Sequence, residues 1–133
     1  LDAATEEVIN YKPTADTRSF AEQMLHLAMG NVGIASASTG KERIFKENIE
    51  KMDQYKTKEA LTAVVMQSYD FVIDAIKTLT LAQLDEQVKF FNGQEYTRRV
   101  GISKAFEHQT HHRGQTTIYL RLKGITPPGE KLF

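Results

Sequence analysis

Apolar residues recur at helical spacing in three long segments, and the first begins near residue 19. Phe20, Met24 and Leu27 form one stripe, and Ser19 and Glu22 fit the two positions of a capping box. This pattern predicts a helix over residues 19–35. The small polar run at residues 36–40 is expected to end it.

The second and third segments have equally clear ends. Thr57 is a candidate N-cap for a long amphipathic helix over residues 58–80. The last helix is predicted over residues 97–123, where Gly124 and Ile125 resemble a Schellman stop and two prolines follow at 127–128.

The connecting segments are less regular. Pro13 indicates a linker at residues 11–16, residues 41–55 suit a short helix plus loop, and Thr80 with Gln83 can cap one further turn. Asn92-Gly93 is a hairpin turn signal, but few alternating residues flank it, so we expect a structured loop over residues 88–96. The chain is therefore predicted to be all-α, a single domain over residues 1–133 folded as an up-down bundle.

Composition narrows the functional classes. Seventeen basic and seventeen acidic residues cancel, so no charge excess favours a nucleic-acid partner. The absence of cysteine excludes disulfides, thiolate ligands and iron–sulfur clusters, and it suits the cytoplasm. No apolar run approaches the roughly 18 residues of a membrane span, so we expect no membrane partner. Residues 1–10 resemble the end of an earlier helix, which leaves open a removed N-terminal targeting segment.

Three of the four histidines lie within residues 108–112. His108 and His112 are four apart and so project from one helix face, on a stripe expected to point inward. That stripe comprises Gly101, Ala105, His108, His112, Gln115, Tyr119 and Leu122. A metal ion that shares these imidazoles with His26, on another predicted helix, would satisfy nitrogens that are costly to bury alone. We therefore predict a metal site formed by His26, His108 and His112.

The alternative is that these histidines lie at the surface or are merely hydrogen-bonded. His111 lies about a hundred degrees around the helix from His112, so a solvent-side or capping role is expected for it. In the zinc-protease motif a glutamate follows the first histidine, but here Gln109 does, and Glu107 is expected to face elsewhere. Peptidase chemistry is therefore disfavoured.

Three neighbours of the histidines carry further expectations. Gly114 in mid-helix suggests a close helix crossing, because glycine there costs about 1 kcal/mol against alanine. Arg113 is expected to pair with a carboxylate across the bundle rather than with a substrate. Gln115, one turn past His112, is a candidate contact for a water on the metal.

The chain resembles the DinB-like (YfiT-related) family of metal-binding four-helix bundles over nearly its whole length. The resemblance lies in Tyr11-Lys12-Pro13, Arg18-Ser19-Phe20, Met24-Leu25-His26, the block from His108 to Gln115, Tyr119-Leu120-Arg121, Gly124-Ile125 and Pro127-Pro128. It implies a three-histidine site open to solvent, occupied by zinc, nickel or iron, with His26, His108 and His112 at the ligand positions.

The chain departs from the family in one respect, since most of the family's first helix is absent before Leu1. We therefore expect a truncated first helix, and an uncovered apolar face that would favour a homodimer.

Two functions follow as hypotheses. The resemblance and an open coordination position favour a metal-dependent enzyme of the thiol S-transferase or hydrolase type, acting on a small molecule such as a low-molecular-weight thiol. No general base is evident, which favours the thiol route, and no catalytic side chain is assigned. The alternative is a non-catalytic metal-binding stress-response protein in which the ion stabilises the bundle.

Overall fold

The computed structural model describes residues 1–130, and in that range it is mostly helical. Its α-helices are α1 (Glu6–Ile9), α2 (Phe20–Thr39), α3 (Lys58–Lys77) and α4 (Arg98–Leu122). The predicted all-α bundle is confirmed, with a short first helix and a small two-stranded sheet added. Residues 131–133, the end of the predicted domain, lie outside the described residues.

Helix α2 begins as predicted but ends later. Ser19 accepts a hydrogen bond from the Glu22 amide, and Glu22 accepts one from the Ser19 amide, which completes the capping box. The helix was predicted to stop at Ala35, but it continues to Thr39 and ends at Gly40, whose φ is 83°. In the additional turn Ser38 and Thr39 donate their hydroxyl hydrogens to carbonyls one turn earlier, so these side chains are satisfied within the helix.

Hydrogen bonds between neighbouring residues determine where α3 and α4 begin and where α4 ends. Thr57 and Thr97 are N-caps, each accepting a backbone N–H three residues ahead. At the end of α4, Gly124 has a φ of 71° and the amide of Ile125 reaches back to the Leu120 carbonyl at 2.9 Å. The Schellman stop is confirmed.

The segment expected to be a structured loop is a β-hairpin. Strands β1 (Gln87–Lys89) and β2 (Glu95–Thr97) pair antiparallel, with Val88 opposite Tyr96. A hairpin this short is marginal by itself, but its buried Phe90 packs on α4. A Cβ on Gly101 would lie 2.3 Å from the Phe90 ring, so this contact depends on glycine.

The connections contain 3₁₀ turns rather than a short α-helix. Residues 41–55 hold two of them, Ile49–Lys51 and Asp53–Tyr55, and a third spans Ala82–Asp85. The third is capped as predicted, since the Thr80 amide donates to Gln83 and the Gln83 amide donates back to Thr80. The first turn buries Ile49 in the core, and this places the next residue, Glu50, against α2.

Helix α2 is the centre of the packing, with α3 on one side and α4 on the other. The main core cluster unites α1, α2, α3 and the C-terminal part of α4, with fully buried members such as Val8, Leu25, Leu27 and Leu61. Within residues 1–130, no helix combines the length and apolar character needed to cross a membrane. The position of α2 matters for function because α2 carries one predicted ligand and faces the helix that carries the other two.

Candidate metal centre

Helices α2 and α4 bring the three predicted ligands together. One nitrogen from each of His26, His108 and His112 lies within 4.8 Å of the others. The ring centroids are 5.4 Å apart for His26 and His108, 4.7 Å for His26 and His112, and 4.4 Å for His108 and His112. Zinc–imidazole bonds of about 2.0–2.1 Å allow at most about 4.2 Å between two ligands, so small side-chain rotations would bring all three onto one ion.

A glycine on α2 makes room for this arrangement. Gly30 lies one turn after His26, and a Cβ there would meet the His108 ring at 2.0 Å from Cε1. Residue 30 must therefore lack a side chain if His108 is to reach His26. The sequence analysis missed this role, although the spacing of Gly30 from His26 on the same helix was an available signal.

The close crossing predicted at Gly114 is wrong. A Cβ added to Gly114 would have no neighbour within 4 Å, because this residue is on the exposed side of α4. The close approach at the histidines occurs at Gly30, whereas Gly101 permits the approach of Phe90 and Ser38 to α4.

Two imidazole nitrogens in the cluster are buried without a partner. Nδ1 of His108 and Nδ1 of His112 have no hydrogen-bond partner within residues 1–130. Because buried polar atoms are nearly always hydrogen-bonded, unpaired nitrogens of this kind indicate a bound water, a bound ion or a functional role. Imidazole nitrogens are suitable ligands for divalent transition metals, so the residues present fit a metal ion.

The electrostatic environment keeps these two histidines neutral. Burial is the largest cause that lowers the pKa of His112, the charges of His108, His26 and His111 act in the same direction, and the resulting pKa is about 4. Burial also lowers the pKa of His108, with the same kind of contribution from His26, His111 and Arg18. At neutral pH both rings therefore offer a lone pair rather than a proton, as metal ligands must.

A carboxylate contacts the third histidine. Oε1 of Glu50 lies 2.6 Å from Nδ1 of His26, and Oε2 accepts a hydrogen bond from Arg18 Nε at 2.9 Å. Burial raises the pKa of Glu50, but the hydrogen bonds and charges of His26 and Arg18 outweigh it and the pKa is lowered overall. Glu50 could not be predicted from the sequence, because nothing in the charged segment at residues 41–55 distinguishes one glutamate from another. Arg18 lies in a stretch that resembles the family, but no role was predicted for it.

The two sequence neighbours of His108, Glu107 and Gln109, make contacts that agree with the expectation that neither acts as a base. Gln109 is buried and accepts a hydrogen bond from the Tyr69 hydroxyl at 3.0 Å, so it ties α4 to α3. Glu107 is exposed and pairs with Lys104, facing away from the cluster as expected. Neither residue supplies a base at the histidines.

His111 and Gln115 contact each other. His111 is exposed, as predicted, and its Nε2 lies 3.0 Å from Nε2 of Gln115. The expected carboxylate partner of Arg113 is absent, because Arg113 is exposed and forms no ion pair with any carboxylate in residues 1–130. The predicted contact of Gln115 with a water on the metal stays a prediction.

The inward stripe of α4 is confirmed except at its C-terminal end. Gly101, Ala105, His112 and Tyr119 are buried, but Leu122 is 55% exposed and its predicted inward position is wrong. The Tyr119 hydroxyl donates to the carbonyl of Arg18, just before α2 begins. Leu122 comes almost a turn later, where α2 no longer covers α4.

An open cleft of about 720 Å³ adjoins the cluster on this side. Its lining includes Arg18, Glu22, Gln23, Glu50, Gln115 and Tyr119. Among the described residues none of the three histidines lines the cleft. The cleft approaches them through Glu50, which contacts His26, and through Gln115, which lies one turn from His112. A molecule of substrate size could enter there.

Fold and site together define a helical bundle with a three-histidine cluster between two helices. The sequence pattern of the DinB family matches residues 1–132, and the chain belongs to the DinB family.

The chain is also similar to individual proteins in sequence or in fold. The chain is 25% identical over 130 residues to the uncharacterized protein YrdA of Bacillus subtilis (strain 168), covering 97% of this chain and 75% of YrdA. A DinB-like protein from Bacillus cereus ATCC 10987 has a similar fold, with a TM-score of 0.82 and 20% identity over 98% of this chain and 85% of that one. YjoA, a DinB-like protein from Bacillus subtilis, gives a TM-score of 0.75 and 22% identity over 99% of this chain and 87% of that one.

Proposed function

We propose that the protein binds a divalent transition-metal ion through His26, His108 and His112. The observation that carries the proposal is the pair of buried Nδ1 atoms without partners, in rings whose nitrogens converge within 4.8 Å on those of His26. Three imidazoles suit zinc, nickel and iron alike, since geometry and metal availability decide among them.

We further propose that the site is catalytic and acts on a small thiol. Structural zinc sites are normally closed by four protein ligands, whereas a three-histidine site keeps a position for a substrate. When bound, the ion would supply a Lewis acid that lowers the pKa of a coordinated thiol. The three histidines hold that ion, and the cleft beside them offers space for the remainder of the substrate.

The transferase type is favoured over the hydrolase type by the state of the nearby groups. Hydrolysis benefits from a general base close to the attacking water. Both oxygens of Glu50, the carboxylate in contact with His26, are committed to His26 and Arg18. Gln109 cannot take a proton. A thiol that loses its proton on binding the ion needs no such base.

Metal analysis tests the first part of the proposal. Protein purified without a metal-affinity tag should contain one equivalent of zinc, nickel or iron, or take one up on titration. His112→Ala should lose it, whereas His111→Ala, which removes an exposed neighbour on the same helix, should keep it. Wild-type protein that binds none of these ions with useful affinity would overturn the proposal.

A conjugation assay tests the second part. Metal-loaded protein is mixed with 2-mercaptoethanol and a chlorodinitrobenzene, so that a carbon–sulfur bond forms while chloride leaves and the thiol proton is released. The rate should rise with loaded wild-type protein and fall to background with His112→Ala. Loaded protein that turns over neither this pair nor a panel of other thiols and electrophiles would argue against transferase activity.

A non-catalytic metal-binding role is the second candidate. It is favoured by the placement of His26 on α2 and of the other two ligands on α4, since one ion would link the two helices. In that case chelation should greatly lower the melting temperature, and spectra of cobalt-substituted protein should not respond to added thiol. A cobalt spectrum that changes with thiol would favour the enzyme instead.

We also infer a homodimer, as exposed apolar side chains lie on both outer helices. Met66 and Ile73 on α3 and Phe106 on α4 are 53%, 48% and 68% exposed. Light scattering coupled to size-exclusion chromatography should give twice the mass of the chain, and Phe106→Ser should shift the protein toward monomer. A monomeric wild type at high concentration would contradict this.

A further inference from the structure

Glu50 is held more firmly than a loop glutamate usually is. Its backbone amide donates to the Asn48 side chain at 3.0 Å, which caps the 3₁₀ turn. Its neighbour Ile49 is 4% exposed and anchors the turn in the core. The carboxylate therefore meets His26 from a fixed backbone position, and its side chain is only 16% exposed.

The contact with His26 determines which ring nitrogen carries the proton. Arg18 donates to one oxygen of Glu50, and its charge favours the ionised carboxylate, which can only accept hydrogen bonds. The other oxygen, 2.6 Å from Nδ1 of His26, must then accept a hydrogen from that nitrogen. In a neutral ring this leaves the lone pair on Nε2.

The other two histidines lack such an anchor. Nδ1 of His108 and Nδ1 of His112 are buried without a partner in residues 1–130, so no carboxylate fixes their tautomer. Of the three rings, only that of His26 is paired with a carboxylate within residues 1–130.

We propose that Glu50 is the positioning residue of the site, which holds His26 with Nε2 free to bind the ion, and that Arg18 in turn holds Glu50. The inference rests on the proposed metal binding, and it deepens that proposal by adding two residues outside the ligand set. Outer partners of this kind, which orient a histidine through its second nitrogen, typically change metal affinity by about 10–100-fold when removed.

The test uses Glu50→Ala and Glu50→Gln, with Glu47→Gln as the matched control on an exposed glutamate of the same segment. In metal-free protein, nitrogen-15 NMR of the imidazole should show His26 with its proton on Nδ1 in the wild type and in the control. Glu50→Ala should show a mixture of tautomers. Glu50→Gln should fall between, because an amide oxygen still accepts but carries no charge.

Zinc titration supplies the second measurement. Glu50→Ala should weaken zinc binding by about 10–100-fold, Glu50→Gln by less, and Glu47→Gln not at all. An unchanged His26 tautomer together with unchanged zinc affinity in both Glu50 variants would overturn the inference. If Glu50→Ala does not fold, as judged by its melting curve, the isosteric Glu50→Gln decides alone.

The two proposals fail separately. Wild-type protein that binds no metal would remove the proposed function, yet the tautomer measured in metal-free protein would still show whether Glu50 orients His26. If the wild type and both Glu50 variants bind zinc equally tightly, the proposed function stands and the proposed role of Glu50 in positioning His26 is wrong.

Discussion

Polar side chains are buried at both interfaces of α2. They are hydrogen-bonded at the interface with α3, but two imidazole nitrogens at the interface with α4 have no partner within residues 1–130. Between α2 and α3, Asn31 donates to Ser68 at 3.1 Å, and Ser68 donates onward to the Val65 carbonyl. Between α2 and α4, His108 and His112 each leave a buried nitrogen unpaired within residues 1–130. A stable core requires buried polar groups to hydrogen-bond to each other, as Asn31 and Ser68 do. The two imidazole nitrogens without partners instead indicate a site for a ligand.

The largest expected effect comes from closing the space that the histidines use. Gly30→Ala would place a Cβ 2.0 Å from Cε1 of His108 and so displace that ring. We expect zinc affinity to fall by at least about 100-fold, more than an outer partner typically contributes. Isothermal titration would measure it.

The control for Gly30→Ala is Gly33→Ala on the same helix, whose Cβ would meet nothing closer than 3.9 Å. This variant should bind zinc like the wild type. Equal affinities for the two variants would show that His108 does not need the space above Gly30.

The second effect is a pH dependence of the metal-free protein. The pKa of His112 is about 4 when folded and 6.5 when unperturbed, so the unfolded chain takes up the proton first as the pH falls. This contribution to stability is fully present above about pH 6.5 and is lost as the pH falls through about 4. It should amount to about 1–3 kcal/mol, after allowance for solvent screening.

Urea unfolding of wild-type protein and His112→Gln between pH 7 and pH 4, with chelator present, measures this contribution as the difference between them. His111→Gln is the control, since that side chain is exposed, and it should follow the wild type. Parallel pH curves for wild type and His112→Gln would mean that His112 takes up its proton equally in both states.

An effect of similar size on stability, with little effect on zinc affinity, is expected at the interface between α2 and α3. Asn31→Ala removes the donor to Ser68 in a fully packed position, which should cost about 1–3 kcal/mol of unfolding free energy. Zinc affinity should change little, because the residue lies on the α3 side of α2. If Asn31→Ala lost much of its zinc affinity but none of its stability, it would be wrong to assign stability to the α2–α3 interface and metal binding to the α2–α4 interface.

The smallest expected effect is a gain in stability. Gly114→Ala meets no neighbour within 4 Å and replaces a poor helix former, so it should stabilise the protein by about 0.5–1 kcal/mol. Thermal melting would detect this, with zinc affinity as the check that the site is unaltered. Destabilisation would mean that the backbone at residue 114 needs glycine after all.

The sequence predicted best what is determined locally. The capping box at Ser19 and the Schellman stop at Gly124 involve residues within one turn of each other, so they could be recognised before the fold was known. The convergence of the three histidines could be predicted too, because helical periodicity places His108 and His112 on one face and His26 lies on a second predicted helix.

Features that depend on distant contacts could not be predicted in this way. The hairpin is stabilised by Phe90 against Gly101 on α4, a contact that its own turn sequence does not reveal. Glu50 differs from other glutamates of its segment because its carboxylate contacts His26, which lies 24 residues earlier in the sequence. The exposure of Leu122 depends on where α2 starts relative to the last turn of α4.

The placement of the ligands on α2 and α4 has a consequence for biosynthesis. During translation α2 is made well before α4, and the segment between them includes all of α3 and the hairpin. A nascent chain that stops short of α4 contains only one of the three histidines of the proposed site. The proposed site is therefore complete only after α4 has been synthesised.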